Sequence, residues 1–198
     1  MKRIVHHAVY NTFADWETGH ATAHLRSMGG FEVVTVGATL DPVTSIGGMR
    51  VLPDITLDRL SPADSALLIL PGAEAWDGGD LDAFGRQAVR FLAAGVPVAA
   101  ICGATGGLAR QGALDGRRHT SNVLQYLQAQ PGYAGTEHYV EADAVTDGDL
   151  ITAGATEPEA FAREIFARLE VFSPEVLDAW FRVFKDSDAS AYEVLAGA

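Results

Sequence analysis

The stretch Val96-Pro97-Val98-Ala99-Ala100-Ile101-Cys102-Gly103-Ala104-Thr105-Gly106-Gly107 decides the fold class. Val96 to Ile101 is a short apolar run, the pattern of a strand buried on both faces of a sheet. Small residues then turn the chain sharply, and Thr105 to Ala113 predicts a helix. A second run, Ser65 to Leu70, ends in Pro71-Gly72-Ala73 and predicts another buried strand.

Outward from these two runs, strand and helix alternate. Ile4–Tyr10 and Phe31–Val36 read as strands, the latter β-branched and alternating. Glu17–Ser27 reads as a helix that stops at Gly29-Gly30. Pro42–Leu60, with Gly47-Gly48 and Pro53, predicts a short hairpin or paired extended segments carrying Met49–Leu52. Leu81–Ala94 reads as a helix capped by Asp80 and stopped by Gly95. Arg118–Ser121 predicts a short strand and Val123–Gln130 a helix. His138–Val145 and Leu150–Ala153 predict strands around the turn Asp147-Gly148. Thr156-Glu157-Pro158-Glu159 resembles a capping box opening a helix to about Phe172. Ser173-Pro174-Glu175 opens another to about Lys185. Such alternation argues a mostly parallel sheet covered on both faces. With 198 residues and no linker, one domain is expected, with a core over residues 3–172 and a helical extension over 173–198.

Hydrophobic residues are 48% and charged residues 20%, the balance of a folded chain. No uncharged apolar run approaches the ~20 residues of a membrane span. The net charge of −12 disfavours a nucleic-acid backbone as partner. The N-terminus lacks the pattern of a secretory signal, so the cytoplasm is the expected location. The single cysteine cannot form an intrachain disulfide or, by itself, a thiolate metal site. No cofactor and no metal is expected.

Chemistry in open α/β sheets lies beyond the carboxyl ends of the strands. Cys102 falls there, at a strand-to-helix turn with the logic of a nucleophile elbow. A free cysteine at a random position packs as a small hydrophobe; at this junction the nucleophile reading is favoured. A helix N-terminus would lower its thiol pKa. The Gly103 amide would face the site as an oxyanion donor, with Gly72 or Ala73 as the second. Glu17 shares a helix face with Ala21, Leu25 and Met28, at offsets 4, 8 and 11. It reads either as an inward acid able to bond a thiolate or as a first-turn carboxylate favoured by the macrodipole. His119 is a candidate base, or a surface histidine in a basic turn with Arg117 and Arg118. A histidine within reach of Cys102 would favour turnover; Glu17 alone would favour redox sensing. His6 and His7 alternate on one strand, so one at most is expected inside. His20 and His24 have metal-pair spacing but read as a solvated face, and His138 has no partner motif.

These motifs together resemble the ThiJ/PfpI family, the cysteine-dependent branch of the class I glutamine amidotransferase-like superfamily that includes the parkinsonism-associated deglycase. The resemblance covers about Arg3 to Phe172. Its carriers are Phe13-Ala14-Asp15-Trp16-Glu17, Leu70-Pro71-Gly72, Ala99-Ala100-Ile101-Cys102-Gly103-Ala104-Thr105, His119-Thr120-Ser121-Asn122 and Thr146-Asp147-Gly148-Asp149-Leu150-Ile151-Thr152-Ala153. The nearest flavour is the bacterial subgroup with Cys-Gly-Ala-Thr and His-Thr-Ser-Asn, which carries an extra C-terminal helix. The resemblance implies a flavodoxin-like three-layer α/β/α sandwich. It implies Cys102 as nucleophile, Glu17 as the acid beside it, Gly72 and Gly103 as backbone donors, and His119 near the family's histidine. It further implies a homodimer and a small-molecule carbonyl or acyl substrate, in the glyoxalase or deglycase manner. The alternative is a cysteine-based oxidative-stress sensor without turnover. Residue 103 is glycine where protease-like members carry histidine, and no late His-x-Glu pair follows. Both departures argue against peptidase and glutaminase chemistry.

Overall fold

The computed structural model describes residues 3–197. In chain order its elements are β1 (Arg3–Ala8), α1 (Asp15–Ser27), β2 (Phe31–Gly37), β3 (Val43–Thr44), β4 (Arg50–Val51), β5 (Ile55–Thr56), β6 (Leu67–Leu70), α2 (Asp82–Ala93), β7 (Val98–Ile101) and α3 (Gly103–Arg110). Then come α4 (Leu124–Gln128), β8 (Ala144–Asp147), β9 (Leu150–Ala153), α5 (Pro158–Arg168), α6 (Pro174–Asp186) and α7 (Tyr192–Ala196).

Seven strands form one sheet in the order β5-β2-β1-β6-β7-β9-β8, and β3 and β4 form a separate antiparallel hairpin. Every pairing in the large sheet is parallel except β8 with β9. The two apolar runs lie side by side at its centre, with Leu68 opposite Val98 and Leu70 opposite Ala100. Successive side chains leave opposite faces of a strand. Leu67, Ile69, Ala99 and Ile101 therefore join α1, α5 and α6 in one core, while Leu68, Leu70, Val98 and Ala100 join α2 and α3 in the other. This is a flavodoxin-like α/β sandwich with helices on both faces, as expected. No described helix is long and apolar enough to cross a membrane.

Several local expectations are corrected. Asp80 does not cap α2: the cap position is Leu81, which supplies no side-chain bond. Thr156 does not form a capping box, because its hydroxyl donates to Glu157 Oε1, not to a backbone group. Arg118–Ser121 contributes one isolated bridge, His119 with Tyr139, and Thr136–His138 is a 3-10 turn, so β8 starts only at Ala144. His6 and His7 are both buried, because the sheet is covered on both faces. His6 Nδ1 meets Ser65 Oγ at 2.9 Å, and His7 Nε2 meets Thr18 Oγ1 at 3.0 Å. Met28 is exposed at the end of α1, while Ala21 and Leu25 are fully buried as predicted.

His20 and His24 are neither a metal pair nor a solvated face. Their rings stack 6.1 Å apart, and each meets Trp180 and Phe184 of α6 edge-on. The aromatic stretch of α6 is thus a cover for α1 and α5, with Trp180 fully buried. Ser173 caps α6 by accepting from the Val176 amide.

Candidate active site

Cys102 stands between β7 and α3 with φ 57° and ψ −125°. That is a left-handed backbone for a residue with a Cβ, and it carries a strain of about 1–3 kcal/mol. Flanking bonds hold it there. Cys102 N donates to the Ala153 carbonyl at 3.0 Å, while Thr105 N and Thr105 Oγ1 both donate to the Cys102 carbonyl. Ser121 Oγ donates to Thr105 Oγ1 at 2.7 Å, tying the 119–122 loop to the same turn. Cys102 itself is half-buried.

Glu17 reaches the site from the first turn of α1 and is 1% exposed. Its Oε2 accepts the Gly72 amide at 2.6 Å. Its Oε1 is buried without a well-formed hydrogen bond among the described residues and faces the cysteine sulfur. The position a Cβ would take on Gly72 lies 2.9 Å from both Cys102 Sγ and Glu17 Oε1, so the three groups share one tight space. Burial pushes the Glu17 carboxyl up to about 7, against the opposing pull of the Gly72 amide. Burial, followed by the Glu17 charge, pushes the Cys102 thiol up to about 11. This corrects the expectation of a thiol lowered by a helix N-terminus: desolvation and a facing carboxylate outweigh the helix amides.

Two further groups favour the thiolate. The Gly103 amide beside the sulfur lowers the thiol's proton affinity, and Asn122 Nδ2 donates to the sulfur at 3.6 Å. Asn122 is oriented by the Ala155 amide, which donates to Asn122 Oδ1 at 2.9 Å and leaves the amide nitrogen toward sulfur. Sequence reasoning quoted Asn122 within the His-Thr-Ser-Asn motif and gave it no role; its position in that motif is the signal that could have flagged it.

Of the expected backbone donors, Gly72 is corrected. Its amide is already taken by Glu17 and is not an open oxyanion donor. The Ala73 carbonyl oxygen and nitrogen lie 3.0 and 3.5 Å from where a Gly103 Cβ would stand, so the two backbones pack closely beside Cys102. His119 is not brought to Cys102 by any hydrogen bond. It is fully buried, which also corrects the surface reading. Its Nδ1 donates to the Arg117 carbonyl at 2.7 Å, so Nε2 accepts from Tyr133 Oη at 2.8 Å. Both nitrogens are committed elsewhere, and burial lowers the ring's proton affinity.

A cavity of 320 Å³ opens beside Asn122, lined also by Ser121, Glu141, Asp143, Ala155 and Glu157; Cys102 does not line it. Among the described residues no group of three or more His, Cys, Asp or Glu side chains is arranged to hold a metal ion.

A strained strand-to-helix cysteine with a facing carboxylate invites comparison with known proteins. The family model of the DJ-1/PfpI family matches residues 2–168. The chain is 38% identical over 191 residues to an uncharacterised protease of Bacillus subtilis, YoaZ, covering 92% of this chain and 91% of that one. It is 30% identical over 144 residues to the deglycase PH1704 of Pyrococcus horikoshii, covering 72% of this chain and 84% of that one. The crystal structure of a ThiJ/PfpI family protein from Bacillus anthracis superimposes with a TM-score of 0.91 at 36% identity, covering 99% of this chain and 95% of that one. On the match over most of its length and on these relatives, the chain belongs to the DJ-1/PfpI family.

Proposed function

We propose that this protein uses Cys102 as a nucleophile on small carbonyl or acyl compounds, as a hydrolase or lyase of the glyoxalase or deglycase kind. The observation that carries the reading is the pairing of the Glu17 carboxyl with the Cys102 sulfur at a strained turn. A carboxyl that titrates near 7 can take and return a proton at neutral pH. Glu17 receives the thiol proton as sulfur adds to the carbonyl carbon, and the carbonyl electron pair moves to oxygen. The Ala73 and Gly103 amides hold that charge until Glu17 returns the proton. A 2-oxoaldehyde gives a thiohemiacetal whose C–H proton Glu17 carries to the adjacent ketone carbon, leaving a 2-hydroxyacyl thioester. An acyl compound gives a thioester as its leaving group departs with the proton that Glu17 returns. Water then cleaves either thioester and restores the thiol.

The committed nitrogens of His119 bear on the reaction class. Amide hydrolysis must protonate an amine leaving group, the task a histidine performs in cysteine hydrolases. Isomerising a 2-oxoaldehyde on sulfur expels no amine, so one proton carrier, Glu17, serves each step. Deglycase is also the name carried by the Pyrococcus relative. Of the carboxylates around the neighbouring cavity, Asp143 and Glu157 pair with Lys185, so the charge that disfavours anionic substrates there is that of Glu141. A homodimer belongs to the same reading; Trp16, Ile46, Met49 and Leu52 are exposed apolar side chains near the start of α1 and the β3–β4 hairpin.

The test is methylglyoxal consumption by wild type and by Cys102→Ala, with the fold checked by circular dichroism. Wild type should turn the dicarbonyl over, and the variant should lose roughly a hundredfold or more. Undiminished activity in the variant removes the mechanism. A second reading is an oxidation sensor without turnover, favoured by the absence of a histidine bonded to Cys102 among the described residues. No turnover by wild type, together with selective oxidation of Cys102 by mild peroxide, would select it.

A further inference from the structure

The Pro71–Gly72 peptide unit is gripped from its far side. Tyr10 Oη donates to the Pro71 carbonyl oxygen. Trp76 Nε1 lies 3.0 Å from the same oxygen and 3.0 Å from Tyr10 Oη, so it donates between them. Both rings are buried. There is no cis peptide bond among the described residues, so the N–H of this unit points opposite its carbonyl. That N–H is the one that donates to Glu17 Oε2 at 2.6 Å. On the next peptide, Ala14 N donates to the Gly72 carbonyl at 2.9 Å.

The Tyr10 ring packs edge-on against Trp76 and Phe84, with centroids 5.8 and 5.3 Å away. A phenylalanine would make the same ring contacts. Burying the hydroxyl costs free energy unless it is bonded, and its acceptor is the Pro71 carbonyl. Burial also keeps the phenol protonated and therefore a donor. A carbonyl oxygen gripped by two buried donors resists rocking about the chain axis, and a peptide plane that resists rocking keeps its N–H direction.

We propose that Tyr10 and Trp76 are positioning residues that lock the Pro71–Gly72 plane, aim the Gly72 amide at Glu17, and thereby hold the second carboxyl oxygen against Cys102. The proposal rests on the Glu17–Cys102 pairing and not on turnover. The Gly72 bond favours the carboxylate form of Glu17, so loosening the plane must raise the Glu17 titration midpoint.

The experiment is side-chain carboxyl carbon NMR on the full chain labelled at glutamate, with Glu17→Gln identifying the signal. Tyr10→Phe should raise the Glu17 midpoint by about half a pH unit or more, and Trp76→Phe should move it the same way. Phe84→Leu loosens the same aromatic packing without removing a donor and should leave the midpoint in place. An unchanged midpoint in folded Tyr10→Phe and Trp76→Phe, or an equal shift in Phe84→Leu, overturns the proposal. The readout needs no substrate, so it stands or falls separately from methylglyoxal turnover.

Discussion

A Cβ placed on Gly72 would lie 2.8 Å from Cys102 Cβ and 2.9 Å from both Cys102 Sγ and Glu17 Oε1. Real Cβ atoms do not approach so closely; Cys102 Cβ is fixed by its own backbone, and the Glu17 carboxyl is held by the Gly72 amide. Gly72→Ala should therefore push the sulfur and carboxyl apart, at a cost of about 1–3 kcal/mol in stability. Iodoacetamide labelling of Cys102 should change its pH profile in the same variant, as the carboxyl loses its hold on the thiol. Thermal melts and labelling rates check both outcomes.

Glu17 carries a stability slope of known sign. Its folded value, about 7, lies above its ordinary 4.5, so the folded chain binds more protons between those limits. Stability from this group is full below about 4.5 and is lost as pH rises through 7, by on the order of 3 kcal/mol. Glu17→Gln should abolish that loss. Urea unfolding at pH 5 and pH 8 measures it.

His7 carries the opposite slope. Burial lowers it from 6.5 to about 4, so the unfolded chain binds more protons between those values. Its contribution is full above 6.5 and is lost as pH falls through 4, again by on the order of 3 kcal/mol. His7→Gln should flatten the acid limb. In the overlap between pH 4.5 and 6.5 the two groups offset each other, so each variant should expose the slope of the other.

Trp180 is fully buried among His20, His24, Phe166 and Phe184. Trp180→Ala should destabilise the chain by about 3–5 kcal/mol. Cys102 packs against the same core, and α1 carries both Glu17 and the histidines that cover Trp180, so labelling of the thiol in the folded variant should quicken. Calorimetry and labelling together check this.

The sheet was legible because buried parallel strands leave continuous apolar runs. Leu67–Leu70 and Val98–Ile101 are such runs, and both are central. The helix caps were less legible. Asp80 and Thr156 have the right chemistry beside the right helices, but their side chains serve other partners or none in the cap. Histidine burial misled for a related reason: alternation along β1 separates His6 from His7, yet a sheet covered on both faces buries both. At the site, Cys102 and Glu17 could be read from a turn and a helix face. The partners of His119 could not, because Tyr133 approaches it only through folding, and Asn122 needed the Ala155 amide to aim it. The proton affinity of Cys102 is not legible in the sequence, which reveals the helix that lowers it and hides the depth of burial that raises it.

The central claim is that Cys102 attacks carbonyl carbon with Glu17 as its proton partner. Carbon NMR of the chain incubated with methylglyoxal labelled at the aldehyde carbon tests it most directly. Wild type should convert that carbon to a sulfur-bonded tetrahedral signal, absent in Cys102→Ala and pH-shifted in Glu17→Gln. The same products at the same rate from wild type and Cys102→Ala, with no such signal in either, would contradict it.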